Sequence, residues 1–148
     1  MRCSLGQTWN GKTCAGEAKK YKWQQALDAA KAFNKQGGFG SYRDWDVPHI
    51  EDLYSIRYCS TGRLEDDFRE IPSKEGGTKA VNKYCDGSFK RPIINQSIFP
   101  NTKSNEYWSS SPEADLSLGA WYVNFSGGQN YGVYKENAYY VRLVRSSQ

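Results

Sequence analysis

Among the residues of this 148-residue chain, the cysteines have the fewest possible chemical roles. Four cysteines occur without a Cys-x-x-Cys pair, and His49 is the single histidine. A structural zinc site normally takes closely spaced Cys and His ligands, so this spacing argues against zinc. An even count at wide spacing favours two disulfides and an oxidising compartment. Three connectivities are open, as are four buried free thiols. We predict the pairing with the shortest loops: Cys3–Cys14 and Cys59–Cys85.

Basic residues are the second group with evident chemistry, because an array of cations binds polyanions. Residues 1–35 carry seven Lys or Arg against two acids, net +5, and residues 77–104 carry five against one, net +4. The segment between them is acidic, with five against nine, net −4. Lysines suit the sulfates and carboxylates of an acidic glycan, and arginine adds a bidentate fork. A solvated charged face is the alternative. We expect residues 77–104 to dominate among the candidates, which are Lys19, Lys20, Lys22, Lys79, Lys83, Lys90, Arg91 and Lys103.

Catalytic groups are poorly supported by the sequence. Four carboxylates could include an acid–base pair, but on a segment broken by Gly and Pro a solvated face is the better interpretation: Glu65, Asp66, Asp67 and Glu70. His49 follows Pro48 with no nucleophile beside it, so we expect a structural role. The run Gly37-Gly38-Phe39-Gly40 lacks the Lys-Ser/Thr of a phosphate loop. We predict a protein that is not an enzyme and needs no cofactor or metal.

Periodicity predicts the elements that position these residues. A first helix ends at Gly37-Gly38 and buries one apolar stripe, made of Trp23, Ala26, Leu27, Ala30 and Phe33. Pro48 suits the first turn of a second helix with a stripe of Ile50, Leu53, Tyr54 and Arg57. Residues 60–106 are interrupted by Gly and Pro, which predicts a long irregular excursion held at its base by cysteines.

From residue 107 onward the pattern changes to an antiparallel meander. Residues 119–126 alternate, with Trp121, Val123 and Phe125 inward, and turns follow at 127–130 and 136–137. The last strand covers 138–145, where Arg142 is expected to be a structural hydrogen-bond donor. The class is α+β, with helices first and the sheet last. Adaptable polar and aromatic side chains give a rival, protein-binding surface: Tyr122, Tyr131, Tyr134, Tyr139, Tyr140, Asn124, Asn130 and Asn137.

Composition excludes several classes of protein. Aromatic residues make up 15% of the chain, which argues against disorder. No apolar run approaches the roughly 20 residues of a membrane span, and the net charge of +4 is mild for a nucleic-acid binder. No apolar stretch follows Met1. We therefore expect one domain over 1–148 that belongs to a longer surface protein.

Several short motifs, in order, resemble one bacterial family. They include Arg2-Cys3-Ser4-Leu5-Gly6-Gln7-Thr8-Trp9 and Trp45-Asp46-Val47-Pro48 in the first half. The second half contributes Tyr107-Trp108-Ser109-Ser110-Ser111, Ala120-Trp121-Tyr122-Val123-Asn124-Phe125 and Tyr140-Val141-Arg142-Leu143-Val144-Arg145. Together they are similar to the C-terminal domain family of the Legionella collagen-like adhesin, over nearly the whole chain.

The resemblance implies a secreted or surface-exposed module with a C-type-lectin-like fold. It further implies trimers and sulfated glycosaminoglycan as ligand. We also expect a host surface protein as a second partner, and neither nucleic acid nor membrane insertion. Two departures stand out: Asp46 replaces the family's arginine, and residues 60–91 are longer and more charged than usual. No Glu-Pro-Asn, Gln-Pro-Asp or Trp-Asn-Asp occurs, so the calcium-dependent sugar site of animal C-type lectins is not carried over.

Overall fold

A computed structural model describes residues 1–127 and 132–145. Its two helices are α1 (Trp23–Lys35) and α2 (Ile50–Ser55). Two small hairpins pair β1 (Thr8–Trp9) with β2 (Cys14–Ala15), and β4 (Phe68–Pro72) with β5 (Thr78–Asn82). Five strands form the main sheet: β3 (Lys20–Tyr21), β6 (Glu106–Pro112), β7 (Gly119–Asn124), β8 (Gly132–Tyr134) and β9 (Tyr139–Tyr140). The α+β class predicted from the sequence is confirmed, but the predicted order of helices first and sheet last is wrong in part, because β3 of the main sheet precedes α1.

The strand order in the main sheet is β3-β9-β6-β7-β8, so only β6, β7 and β8 form the predicted meander. The prediction of a last strand over 138–145 is wrong. β9 covers two residues, pairs antiparallel with β3, and lies parallel to β6 on the side away from β7. The residues after Tyr140 leave the ladder because other segments take their backbone groups. Leu5 N–H donates to the Val141 carbonyl, and Asp46 and Val144 exchange two hydrogen bonds of 2.9 Å.

Both faces of the main sheet are covered. On one face, α1 packs Ala26 and Ala30 in a cluster that contains Trp108, Tyr122 and Leu143. On the other face, α2 packs against alternate residues of β6 and β7, in a cluster of Ile50, Leu53, Tyr54, Tyr107, Trp121, Val123 and Phe125. Sequence alternation assigns residues to two faces but does not show whether one of them meets solvent.

As a result, three of the five tyrosines of the rival surface are at least partly buried. Tyr122 is only 8% exposed, so its assignment as an outward residue is wrong. Tyr139 and Tyr140 are half-buried and pack with Trp108 and Tyr107, at ring distances of 4.6 and 5.5 Å. Tyr134 remains 60% exposed. Of the turn predicted at 127–130, residues 128–130 lie outside the described residues, as does Tyr131.

The excursion predicted over 60–106 contains a regular hairpin, so that prediction is wrong in part. β4 and β5 pair over five residues each, and Ile71 of β4 is fully buried in the cluster around α2. Arg57 lies beyond the end of α2 rather than within it, but its guanidinium stacks on the Tyr54 ring at 3.4 Å. The hairpin is therefore anchored to the second helix.

Two sequence-based assignments are confirmed. The structure contains the disulfides Cys3–Cys14 and Cys59–Cys85. Arg142 is 1% exposed and donates to the Met1 and Arg2 carbonyls and to Thr102 Oγ1. In the ranges that the structure describes, neither helix is long and apolar enough to cross a membrane.

Candidate functional site

Six of the eight predicted basic residues lie in three places. The first is the β4–β5 hairpin, whose lysines are neutralised by neighbouring acids. Lys79 Nζ lies 2.9 Å from Glu51 on α2, and Lys83 Nζ lies 3.0 Å from Asp67. Paired in this way, these two ammonium groups present little free positive charge to a ligand.

Glu51 is the centre of the contact between hairpin and helix. Its carboxylate accepts from the Lys74 backbone N–H at 2.9 Å, from Lys79 Nζ and from Ser73 Oγ. The Lys74 N–H and then the Lys79 ammonium hold the pKa of Glu51 at about 2, well below its ordinary value. Lys74 also pairs with Asp52 at 2.6 Å. Lys74 and Lys79 therefore form ion pairs that hold the hairpin against α2.

The second place is one end of the main sheet. β6 begins at Glu106 and β7 ends opposite it at Asn124. Tyr107 is level with Tyr140 of β9, which in turn is level with Lys20 of β3. Lys20 Nζ lies 5.2 Å above the Tyr140 ring. Lys103 enters the same end of β6, where its N–H donates to the Tyr107 hydroxyl. Register therefore brings together two lysines that are 83 positions apart in the sequence.

The third place adjoins that end of the sheet. The Arg91 guanidinium donates to the carbonyl of Ser126, just beyond β7, and stacks on Phe89 at 4.8 Å. Phe125 directly follows β7, and its backbone N–H donates to the carbonyl of Asn105, which directly precedes β6. Lys90 is exposed and attached by its N–H to Ser60 Oγ at 2.6 Å.

We call this set the basic rim: Lys20, Lys90, Arg91 and Lys103. β3 and β7 are three strand spacings apart, so the rim spans about 14 Å or more along the sheet end. Within the described ranges, its one ion pair is a 3.4 Å contact between Lys103 and the exposed Glu17. An open row of weakly compensated cations suits a linear polyanion better than a single compact anion.

The remaining candidates lie beside the rim but are engaged otherwise. Lys22 pairs with Glu136 at 2.7 Å, and the Lys19 side chain packs close to Gly6. The segment 77–104 does not act as one unit, because its lysines divide between hairpin and sheet end. The four rim residues were all candidates from the sequence, but their arrangement was not predictable, because it depends on the parallel β6–β9 register, which no local pattern signals.

The carboxylates considered for catalysis and His49 do not belong to the basic rim. Glu65, Asp66, Asp67 and Glu70 are all exposed, and Asp67 pairs with Lys83. His49 Nδ1 accepts the Glu51 N–H at 3.2 Å and so caps α2. Burial lowers the pKa of this imidazole, so it is neutral at pH 7. The structural role that the sequence predicts for His49 is therefore that of a helix cap.

One further feature had no assignment in the sequence. A cavity of about 380 Å³ opens between the N-terminal hairpin and the loop after α1, lined by Arg2, Thr8, Trp9, Phe33, Gly38 and Phe39 among others. The glycine and aromatic content of residues 37–48 was the available signal, but the partner wall comes from residues 1–9. We call this cavity the aromatic cleft.

Comparison with known families gives a single assignment. The family described as the Lcl C-terminal domain matches residues 3–145, which is nearly the entire chain. A search among curated proteins returns no match.

Proposed function

The chain belongs to the Lcl C-terminal domain family, and from this premise we propose that it is an adhesin module that binds anionic polysaccharide. Sulfated glycosaminoglycan is the ligand class that its cations suit best. We further propose a C-type-lectin-like fold, an extracellular location, for which the two disulfides are suitable, and no catalytic activity. The observation that carries the proposal is the basic rim.

The rim supports the proposal through its geometry and charge. Lys20, Lys103 and Arg91 come from three different segments and lie along one end of the sheet. Sulfates on a glycan recur along a chain, so several spaced cations can each meet one. Each exposed cation–anion contact contributes about 0.2–1 kcal/mol. Three contacts together therefore change the dissociation constant about threefold or more.

Two triple variants with equal charge provide the test. The rim variant replaces Lys90, Arg91 and Lys103 with Ala, and the control variant replaces Lys22, Lys79 and Lys83, each of which is ion-paired. Both lower the net charge from +4 to +1, so any difference between them reports position. On immobilised heparin, we expect the rim variant to elute at lower salt than the control. Thermal stability of the rim variant should remain near that of wild type.

Salt dependence separates this proposal from the protein-binding alternative. Binding through exposed charges should weaken steeply between low and molar salt, because the Debye length falls to about 3 Å at 1 M. Heparin binding that persists in 1 M salt, or equal losses in the two triple variants, would count against the rim.

We also propose that the module forms the trimer implied by its family resemblance. Three rims presented together would raise avidity for a long polymer without any new contact. Native mass spectrometry across a concentration series tests this, and a monomer at every concentration would contradict it for this chain.

A further inference from the structure

We propose that the aromatic cleft binds a single hexuronate residue, with the sugar ring against Trp9 and Phe39 and the carboxylate on Arg2. This inference deepens the proposed function, on which it rests for the acidic glycan as ligand. It names the unit recognised and a second place of recognition, apart from the basic rim. The two differ physically, because the rim is an open row of cations and the cleft is a concave site.

The shape of the cleft suits one small ring. Its volume of about 380 Å³ falls in the range of about 300–1,000 Å³ typical of small-molecule sites. Phe39 is 50% exposed, and Trp9 is half-buried on β1. Aromatic faces carry a negative quadrupole, which favours the weakly positive C–H groups on one side of a pyranose ring. The exposed Thr8 at the same wall can serve the ring hydroxyls.

The charge in the cleft determines which sugar it suits. The Arg2 guanidinium carbon lies 4.5 Å from the Trp9 ring centre, so stacking holds this cation at the cleft. No carboxylate of the residues that the structure describes lies within ion-pair distance of Arg2. A guanidinium of this kind takes a carboxylate in a charge-assisted pair. A neutral hexose would leave it unused, whereas a hexuronate supplies ring and carboxylate in one unit.

Both walls are fixed before any ligand arrives. Cys3–Cys14 ties down the N-terminal segment that carries Arg2, and Arg142 donates to the Arg2 carbonyl. On the other wall, Phe39 and Tyr42 exchange two backbone hydrogen bonds of 3.1 Å, and Trp45 Nε1 donates to the Phe39 carbonyl at 3.2 Å. A site that is already ordered loses less entropy on binding.

Methyl β-D-glucuronide is the probe for the test, with methyl β-D-glucoside as its neutral twin. Saturation-transfer NMR and tryptophan fluorescence would be measured on the full chain in 0.5 M salt, which screens the rim. We expect saturable glucuronide binding with about a tenfold preference over the glucoside. Arg2→Gln should abolish the preference, and Trp9→Leu should weaken both ligands about tenfold.

Matched controls keep structural damage separate from loss of the site. Phe68→Ala removes a 52% exposed ring on the hairpin, and Arg63→Gln removes an exposed arginine beside Asp86. Both should bind the glucuronide as wild type does. Phe39→Ala offers a second cleft variant if Trp9→Leu is misfolded by circular dichroism, and a tenfold loss is again expected.

Several results would overturn the proposal: no saturable binding, equal binding of both sugars, or losses in the control variants as large as in the cleft variants. Tighter binding of phenylacetate than of glucuronide would show that the cleft recognises a peptide-like carboxylate. Failure here is distinguishable from failure of the rim. Heparin binding without glucuronide binding removes only the cleft, and glucuronide binding with salt-resistant heparin binding removes only the rim.

Discussion

Gly38 gives the sharpest test of how the loop beside the aromatic cleft is built. This residue has a φ of +64°, in the left-handed region, and its N–H donates to the Phe33 carbonyl to end α1. A Cβ at this position would lie far inside van der Waals distance of the Tyr42 carbonyl oxygen. That oxygen accepts the Phe39 N–H in one of the two bonds that close the loop. Gly38→Ala must therefore displace backbone rather than a flexible side chain.

The expected cost has two parts. An L-residue in the left-handed region costs roughly 1–2 kcal/mol. Loss of the two Phe39–Tyr42 hydrogen bonds adds about 0.5–1.5 kcal/mol each. Gly38→Ala should thus lower the free energy of unfolding by about 2–5 kcal/mol. Equilibrium urea denaturation followed by tryptophan fluorescence measures this value directly.

Gly62 provides the matched control for this substitution. Its φ is +69°, and a Cβ there meets nothing within 4 Å. Gly62→Ala should therefore show only the conformational part, roughly 1–2 kcal/mol. Equal losses at the two glycines would refute the argument that the Tyr42 carbonyl imposes glycine at position 38. A Gly38→Ala variant as stable as wild type would refute the loop geometry itself.

Two further predictions concern the disulfides and the hairpin anchor. Replacing Cys59 and Cys85 with Ala opens a loop of 26 residues and should cost about 3.5 kcal/mol, against about 2.8 kcal/mol for the 11-residue loop of Cys3 and Cys14. Urea midpoints of the two double variants check the order. The pKa of Glu51 is depressed in the folded state, so its stabilising contribution is full above pH 4.5 and disappears as the pH falls towards 2. Glu51→Gln should flatten the fall in stability over that interval, and an unchanged slope would contradict the assignment.

The elements with a local signal were predictable from the sequence. Helix α1 follows from its apolar stripe and from Gly37-Gly38, and the core positions Trp121, Val123 and Phe125 follow from alternation. The β4–β5 hairpin escaped prediction because its strands bury little. Ile71 is the one residue of the ten that is fully buried, and Pro72 and Gly76 suggested irregular chain.

The candidate sites were predictable in type but not in arrangement. Charge counting identified all four rim residues, yet the neutralisation of Lys79 by Glu51 required the contact between hairpin and helix. The cleft brings Arg2 and Trp9 together with Phe39, which lies thirty positions after Trp9 in the sequence. No sequence pattern links the two segments that carry these residues. Non-local juxtaposition of this kind is set by tertiary packing, which a single sequence does not display.

The position of β9 also determines the order in which the domain can assemble. This strand lies between β3, near residue 20, and β6, near residue 107, so the sheet has no continuous hydrogen-bonded ladder until residues 139–140 arrive. Pairings this distant in sequence form slowly, because their loop-closure entropy must be overcome first. During synthesis, α1 and the two small hairpins are made well before the residues that join β3 to the rest of the sheet. The main sheet is therefore completed only after residues 139–140 have been made, however early its other strands are available.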